Sequence, residues 1–84
     1  MGKKEKLFER ARNSPKNLKF DQLCRLAEIF GFILRNQEGS HKNYKHPSCK
    51  AMLSFQRDSN GGAKPYQVRE LLEVIERFNL TEKD

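Results

Sequence analysis

The sequence predicts an α+β fold, in which three antiparallel strands form a sheet and helices cover one of its faces. Two stretches, residues 20–30 and 65–78, repeat apolar residues at helical spacing. Between them, three short segments are rich in strand-forming residues or alternate in polarity. Short links between consecutive strands favour antiparallel pairing of neighbours. With a further helix at the front, the predicted order is helix, helix, strand, strand, strand, helix.

The helices have recognisable ends. Residues 4–12 predict a short first helix, which stops before Pro15 because proline cannot continue a helix and restricts the residue before it. In the second helix Asp21 is an N-cap or a first-turn acid, and Gly31 ends the helix. Its apolar face consists of Phe20, Leu23, Cys24, Ala27 and Phe30. The last helix starts near Pro65 and carries an apolar stripe of Val68, Leu71, Leu72, Ile75 and Phe78.

The middle of the chain predicts the sheet. Residues 32–35 are strand formers, and a turn follows at Glu38 and Gly39. Residues 40–46 alternate, with His41, Asn43 and Lys45 on one face and Lys42, Tyr44 and His46 on the other. A third strand has one apolar face, made by Ala51, Leu53 and Phe55, and a loop follows at residues 58–62. Helices on one side leave the other face of the sheet open, and we expect His41 to point there.

Length and charge restrict the possible functions. The 84 residues suffice for one domain over residues 1–84, with frayed ends at 1–6 and 80–84, and leave no room for a separate cofactor-binding domain. The net charge of +6 favours a polyanionic partner, with nucleic acid ahead of a membrane surface. No segment has the length of a membrane span or the pattern of a signal peptide, which predicts a reduced, cytoplasmic protein that does not contact membranes.

The stretch from Gly39 to Pro47 contains the residues best suited to chemistry. A histidine that titrates near neutral pH can accept a proton from a ribose 2′-hydroxyl and donate one to a leaving oxygen. These two transfers are sufficient to cleave RNA without a metal, and the lysines beside His41 would attract phosphate. The structural alternative is that His41 is a half-exposed strand residue with no catalytic task, and spacing alone favours that alternative.

Other candidate sites are weaker. His41, His46 and Cys49 do not follow a zinc-binding spacing, so we predict neither a metal nor a cofactor. Cys24 lies on the apolar face of the second helix, where a small core residue is expected. Cys49, in the turn after Pro47, lacks the third group that would orient a Cys-His nucleophile pair.

Three segments together resemble the HicA family of mRNA interferases from toxin–antitoxin systems. The middle one, residues 35–47, contains Gly39-Ser40-His41 and has an aromatic residue, Tyr44, three positions after the histidine. The others are residues 17–32 and residues 64–72, of which the latter open the last helix with Lys64 and Pro65. The resemblance extends over roughly residues 7–78.

The resemblance implies a fold similar to the double-stranded-RNA-binding domain, with the first helix as an extension. It also implies a toxin that cleaves mRNA without a metal ion, with His41 as catalytic residue and a HicB-type antitoxin as partner. Many members carry a second histidine in or after the third strand, where this chain has Phe55, Gln56 and Arg57. A cation such as Arg57, Lys42 or Lys45 would then stabilise charge on the phosphate.

The candidate RNA-binding residues are Gly39, Ser40, Lys42, Lys45, Arg57 and Arg69. Gly39 and Ser40 either contact RNA or only shape the turn. Arg69 either meets a phosphate near the start of the last helix or pairs with Glu73 four residues on. The basic first helix either grips RNA or is a solvated surface, and Tyr44 stacks on a base or, as its predicted face favours, packs in the core.

A second function remains open from the sequence. The same sheet could hold RNA or a protein partner without catalysis, since a fold does not fix a function.

Overall fold

The computed structural model describes residues 3–39, 41–48 and 50–80. Its helices are α1 (Lys3–Asn13), α2 (Phe20–Ile29) and α3 (Pro65–Arg77), and its strands are β1 (Ile33–Glu38), β2 (His41–Lys45) and β3 (Met52–Gln56). The predicted α+β class and element order are confirmed. Pro15–Asn17 forms one turn of 3₁₀ helix that the sequence did not predict. Ser40, Cys49 and, of the predicted frayed ends, residues 1, 2 and 81–84 lie outside the described residues; α1 already begins at Lys3.

The three strands form one antiparallel sheet in the order β1-β2-β3. The central strand, β2, fixes which residues share a face. His41 pairs with Glu38 on β1 and with Gln56 on β3. Two positions later, Asn43 pairs with Asn36 and Ser54. Because directly paired residues project to the same side of a sheet, these side chains form one surface.

The helices cover the other face of the sheet and enclose the core. Tyr44, Leu53 and Phe55 project into it from β2 and β3, as the alternation predicts. The helices supply most of the remaining core, including Phe20, Leu23, Leu26, Ala27, Val68 and Leu71. In contrast, every residue of β1 is exposed, so this edge strand extends beyond the helical layer.

The end of α3 departs from the predicted apolar stripe. Val68, Leu71 and Ile75 are buried, but Phe78 is 44% exposed. The helix ends at Arg77, and Asn79 adopts a positive φ of 53°, which turns the chain back. Leu80 then packs against the core, its N–H bonded to the Ile75 carbonyl at 2.9 Å. The prediction for Phe78 was wrong because helical periodicity does not extend past the last helical turn.

The ends of α2 follow the local sequence. At its start, Gln22 Oε1 accepts a hydrogen bond of 2.9 Å from the Lys19 N–H, and Asp21 lies in the first turn as an acid rather than as the N-cap. At its end, Gly31 adopts a φ of +96°. The N–H of Phe32 bonds to the Ala27 carbonyl and the Gly31 N–H to the Glu28 carbonyl, both at 3.0 Å, which is a Schellman termination.

The first helix packs on the other two. Ala11 is fully buried, and the Phe8 ring lies 5.3 Å, centroid to centroid, from the ring of Phe30, which directly follows α2. Among the described helices, none combines the length and the apolar character that a membrane crossing requires. The helical layer shares one apolar core with the sheet.

Candidate functional site

His41 is the first residue of β2 and follows a tight turn. Glu38 and His41 pair across the hairpin, so two residues connect the strands, and Gly39 is the first of them. Gly39 has a φ of +59°, as the turns that join two strands through two residues require. A Cβ atom built on Gly39 would have no neighbour within 4 Å. Glycine is therefore needed here for its backbone conformation, which starts β2 at His41.

The open face of the sheet presents the His41 side chain to solvent. His41, Asn43 and Lys45 project from this face and Tyr44 from the opposite one, so the predicted alternation is confirmed. Beside His41 along the strand, Asn43 Nδ2 donates a hydrogen bond of 2.6 Å to Asn36 Oδ1. This pair ties the side chains of β1 and β2 together next to the histidine. The strand neighbours of His41 on this face are polar.

Neither ring nitrogen of His41 has a hydrogen-bond partner among the described residues. Glu38, which pairs with His41 on β1, is the nearest carboxylate in the strand register. An exposed imidazole without a partner can take a proton from a ligand or give one to it, which is the requirement for a general acid or base.

His46, five residues later, has the opposite environment. It is 7% exposed, and its Nδ1 accepts a hydrogen bond of 3.0 Å from the Ser48 N–H. The other nitrogen, Nε2, therefore carries the proton and donates to the Phe30 carbonyl at 2.9 Å. The ring also packs edge-on against Phe32, with centroids 5.1 Å apart. His46 is a structural residue that joins the end of β2 to the end of α2.

A polar network lies at the end of β3, next to His41. Gln56, the partner of His41 on β3, accepts a hydrogen bond of 3.2 Å from Lys64 Nζ at its side-chain oxygen. Its backbone N–H donates to Gln67 Oε1 at 3.0 Å. Gln67 is 4% exposed, and its Nε2 donates to the Tyr66 hydroxyl at 3.3 Å. Contacts with Lys64 and Gln67, at the start of α3, thus hold Gln56 in place beside His41.

Sequence reasoning singled out neither Gln56 nor Lys64 as a site residue. The available signal was Lys64-Pro65 at the opening of the last helix. The spatial link could not be inferred, because a loop separates Gln56 from Lys64 and only its closure brings them together. In that loop Asp58 Oδ1 accepts hydrogen bonds of 2.8 Å from the backbone N–H groups of Asn60 and Gly62.

The model of the family described as HicA toxin of bacterial toxin–antitoxin systems matches residues 20–76. This match includes the His41 hairpin, all three strands and nearly all of α3, and it covers more than half of the chain. The chain belongs to the HicA toxin family. No curated protein and no solved structure matches it significantly. Helix α1 precedes the matched region.

In this HicA chain the predicted cations do not all share the face of His41. Lys45 does, but it lies four residues along β2, about 13 Å at the usual rise per residue. Lys42 projects to the helical side, where its Nζ lies 5.6 Å from the centre of the Phe20 ring. Arg57, directly after β3, places its guanidinium carbon 5.2 Å from the same ring. Lys42 and Arg57 thus lie on the helical side of the sheet, whereas His41 lies on the open face.

Arg69 is exposed on α3, in the helical layer of the HicA fold. Within the described residues Glu73 pairs instead with Arg77, at 4.0 Å. The predicted alternative of an Arg69–Glu73 pair is therefore not formed, and a contact of Arg69 with RNA stays a prediction. Both residues of the observed pair are well exposed, so the pair adds little to stability.

Two core groups next to β2 have raised pKa values. Burial raises the pKa of the Cys24 thiol, and this residue is the small core side chain that the sequence predicts. Burial and a hydrogen bond with Cys24 also raise the pKa of Tyr44 above its usual range. The Tyr44 hydroxyl donates to Glu28 Oε2 at 3.4 Å. Tyr44 is therefore a core residue, as its predicted face favours, and does not offer its ring to a base.

No cluster of three or more potential metal ligands occurs among the His, Cys, Asp and Glu residues that the structure describes.

Membership of a toxin–antitoxin family implies an antitoxin as partner. Among the described residues, His41 offers an exposed imidazole on the open face of the sheet.

Proposed function

We propose that this HicA-family toxin is an endoribonuclease that cleaves mRNA in the cytoplasm without a metal ion, with His41 as its general acid or base. One observation carries the proposal: the His41 imidazole stands on the open face of the sheet, exposed and free of hydrogen bonds to other described residues. An extended RNA strand can reach a ring in that position, and a closed pocket is not needed.

The proposed reaction uses the ribose next to the broken bond. His41 Nε2 or Nδ1 accepts the proton of the 2′-hydroxyl, and the 2′-oxygen attacks the adjacent phosphorus. The bond from phosphorus to the 5′-oxygen of the next nucleotide breaks, and that oxygen takes up a proton from the protonated His41 or from water. The products are a 2′,3′-cyclic phosphate and a 5′-hydroxyl end. Positively charged groups near the site would stabilise the negative charge that develops on the phosphate.

The test is His41→Ala, with Ser54→Ala as the matched control. Ser54 pairs with Asn43 on the same open face, so the control changes that face without touching the imidazole. Purified wild type and Ser54→Ala should cut single-stranded RNA in the presence of a chelator, while His41→Ala should lose cleavage by about 100-fold or more. RNA with a 2′-deoxyribose at the cut position should resist both active proteins.

Expression in a growing cell should separate the active proteins from the inactive one in the same way. Wild type and Ser54→Ala should arrest growth and degrade mRNA, and His41→Ala should do neither. Equal cleavage by His41→Ala would refute the assigned role. Tight, salt-dependent RNA binding by the wild type without any product would favour the alternative, a non-catalytic binding module.

The partner we propose is a HicB-type antitoxin that covers His41. The family implies an antitoxin, and an exposed catalytic group on an open face is easily blocked by a protein laid across it. Co-expression with the product of an adjacent small acidic reading frame should yield a complex in which RNA cleavage is lost. Failure of the two proteins to co-purify would count against this partner.

A further inference from the structure

We infer that Lys64, held in place by Gln56, is the cation that binds the RNA phosphate at the His41 site. The inference rests on the proposed function, because it identifies the charged group that this reaction needs. It starts from the strand register, in which Gln56 is the direct partner of His41. The Cβ atoms of such partners lie about 5 Å apart.

The side of the sheet on which Gln56 projects follows from the burial of β3. Leu53 and Phe55 are buried, and Ser54 and Gln56, which alternate with them, project to the open face. Lys64 Nζ donates to Gln56 Oε1 at 3.2 Å. The ammonium group, carried by the residue before α3, therefore reaches the edge of the open face beside His41.

No described carboxylate neutralises the charge of Lys64 in this position. Its partner is a neutral amide oxygen, and no carboxylate of a described residue lies within ion-pair distance of it. An ammonium group has three N–H donors, so two remain for the oxygens of a phosphate. Lys64 is also half-buried, which makes its position better defined than that of a fully exposed lysine.

Gln56 itself is fixed by a buried group. The backbone N–H of Gln56 donates to Gln67 Oε1, and Gln67, at the start of α3, is 4% exposed. Buried polar groups cost free energy unless they are bonded, so this contact holds the end of β3 and α3 together. Gln56 and Gln67 are thus positioning residues, and Lys64 is the group that touches the phosphate. The cations predicted from the sequence lie farther off or on the other face.

The experiment compares Lys64→Gln with Lys64→Arg and with a matched control, Lys50→Gln. Lys50 is exposed near the start of β3, six residues from Gln56 at the opposite end of the strand, so the control removes one charge far from His41. Affinity for a single-stranded RNA oligonucleotide is measured over a range of salt concentrations in the His41→Ala background. Cleavage rates are measured with His41 intact, and melting temperatures check folding.

Lys64→Gln should bind RNA about tenfold more weakly, as loss of one charge-assisted hydrogen bond predicts. The slope of log affinity against log salt should fall by about 0.7, the amount for one phosphate of a single strand. Lys64→Arg should keep most of the RNA affinity and of the salt slope. Lys50→Gln should change neither the affinity nor the slope. Cleavage by Lys64→Gln should fall at least as far as binding does.

A second variant keeps the inference testable if Lys64→Gln does not fold. Gln56→Glu has nearly the same shape and would pair its carboxylate with Lys64, so it should also reduce the salt slope. Unchanged binding in either folded variant, or an equal loss in Lys50→Gln, would overturn the inference. The proposed function fails separately: if wild type cuts no RNA, the binding measurements still decide whether Lys64 contacts phosphate.

Discussion

At the scale of single residues, the neighbours of two histidines and two glycines determine what each one does. His41 lies exposed on the open face, while His46 bonds through both ring nitrogens to the backbone. Gly31 and Gly39 both have positive φ, but only at Gly31 would an added Cβ atom meet a side chain. A Cβ atom on Gly31 would lie 2.8 Å from His46 Nε2. The same residue type therefore has different consequences at the two positions.

This difference predicts unequal costs for two alanine substitutions. Gly39→Ala should lower the free energy of unfolding by about 1–2 kcal/mol, the strain of a left-handed backbone conformation. Gly31→Ala should lower it by roughly 2–4 kcal/mol, because His46 must also shift and weaken its bond to the Phe30 carbonyl. Urea denaturation of both variants measures these values. A larger loss for Gly39→Ala would contradict the role assigned to His46.

At the scale of elements, α1 adds to the region that the HicA model matches. The matched residues begin with α2, yet α1 buries Ala11 completely and stacks Phe8 on Phe30. The guanidinium carbon of Arg12 lies 5.7 Å from the centre of the Phe8 ring. An element with a fully buried residue contributes to the core, so α1 is part of the fold rather than a loose basic arm.

Because α1 contributes to the core, substitutions at its buried positions should lower the stability of the protein. Ala11→Asp would bury an unpaired charge and should lower the free energy of unfolding by about 3–5 kcal/mol. Glu9→Asp, on the exposed side of the same helix, should change it by no more than about 0.5 kcal/mol. Thermal melting followed by circular dichroism compares them. Equal melting temperatures would show that α1 does not pack as described.

The predictability of the elements also differs. The stop before Pro15, the Gly31 termination and the start of α3 at Pro65 depend on local chemistry, and each was predicted. The exposed Phe78 and the 3₁₀ turn were not, because they depend on where the chain turns to meet its core. Likewise the turn before His41 was visible in the sequence, while the approach of Lys64 to Gln56 required the closed loop.

At the scale of the whole molecule, the helices seal one face of the sheet and leave the other open. Tyr44 on the sealed face and Cys24 on α2 lie in the core, and burial raises the pKa values of both. The folded state therefore keeps both protons at a pH where the unfolded chain, with ordinary values near 9.0 for Cys24 and 10.0 for Tyr44, has lost them. When the unfolded state binds fewer protons, stability falls as pH rises.

The pH dependence of unfolding follows from this difference in bound protons. The stabilising contribution of the two groups should be fully present at neutral pH and should decline above about pH 9, continuing through the range where unfolded tyrosine ionises. In Tyr44→Phe the decline should be shallower, because only Cys24 remains. Urea denaturation at several pH values, compared between the two proteins, measures the difference. Parallel declines would show that Tyr44 does not hold its proton in the fold.

The sequence by itself determined the element order, the alternation of β2 and the position of His41 shortly after a turn that contains Gly39. These depend on side-chain periodicity and on residues such as Gly39 and Pro65 that restrict the backbone locally. Only the tertiary structure decided that His46 is structural, that Lys42 lies on the helical side and that Lys64 reaches Gln56 beside His41. The physical reason is that charges and polar groups act through space, and their neighbours come from segments far apart in the chain.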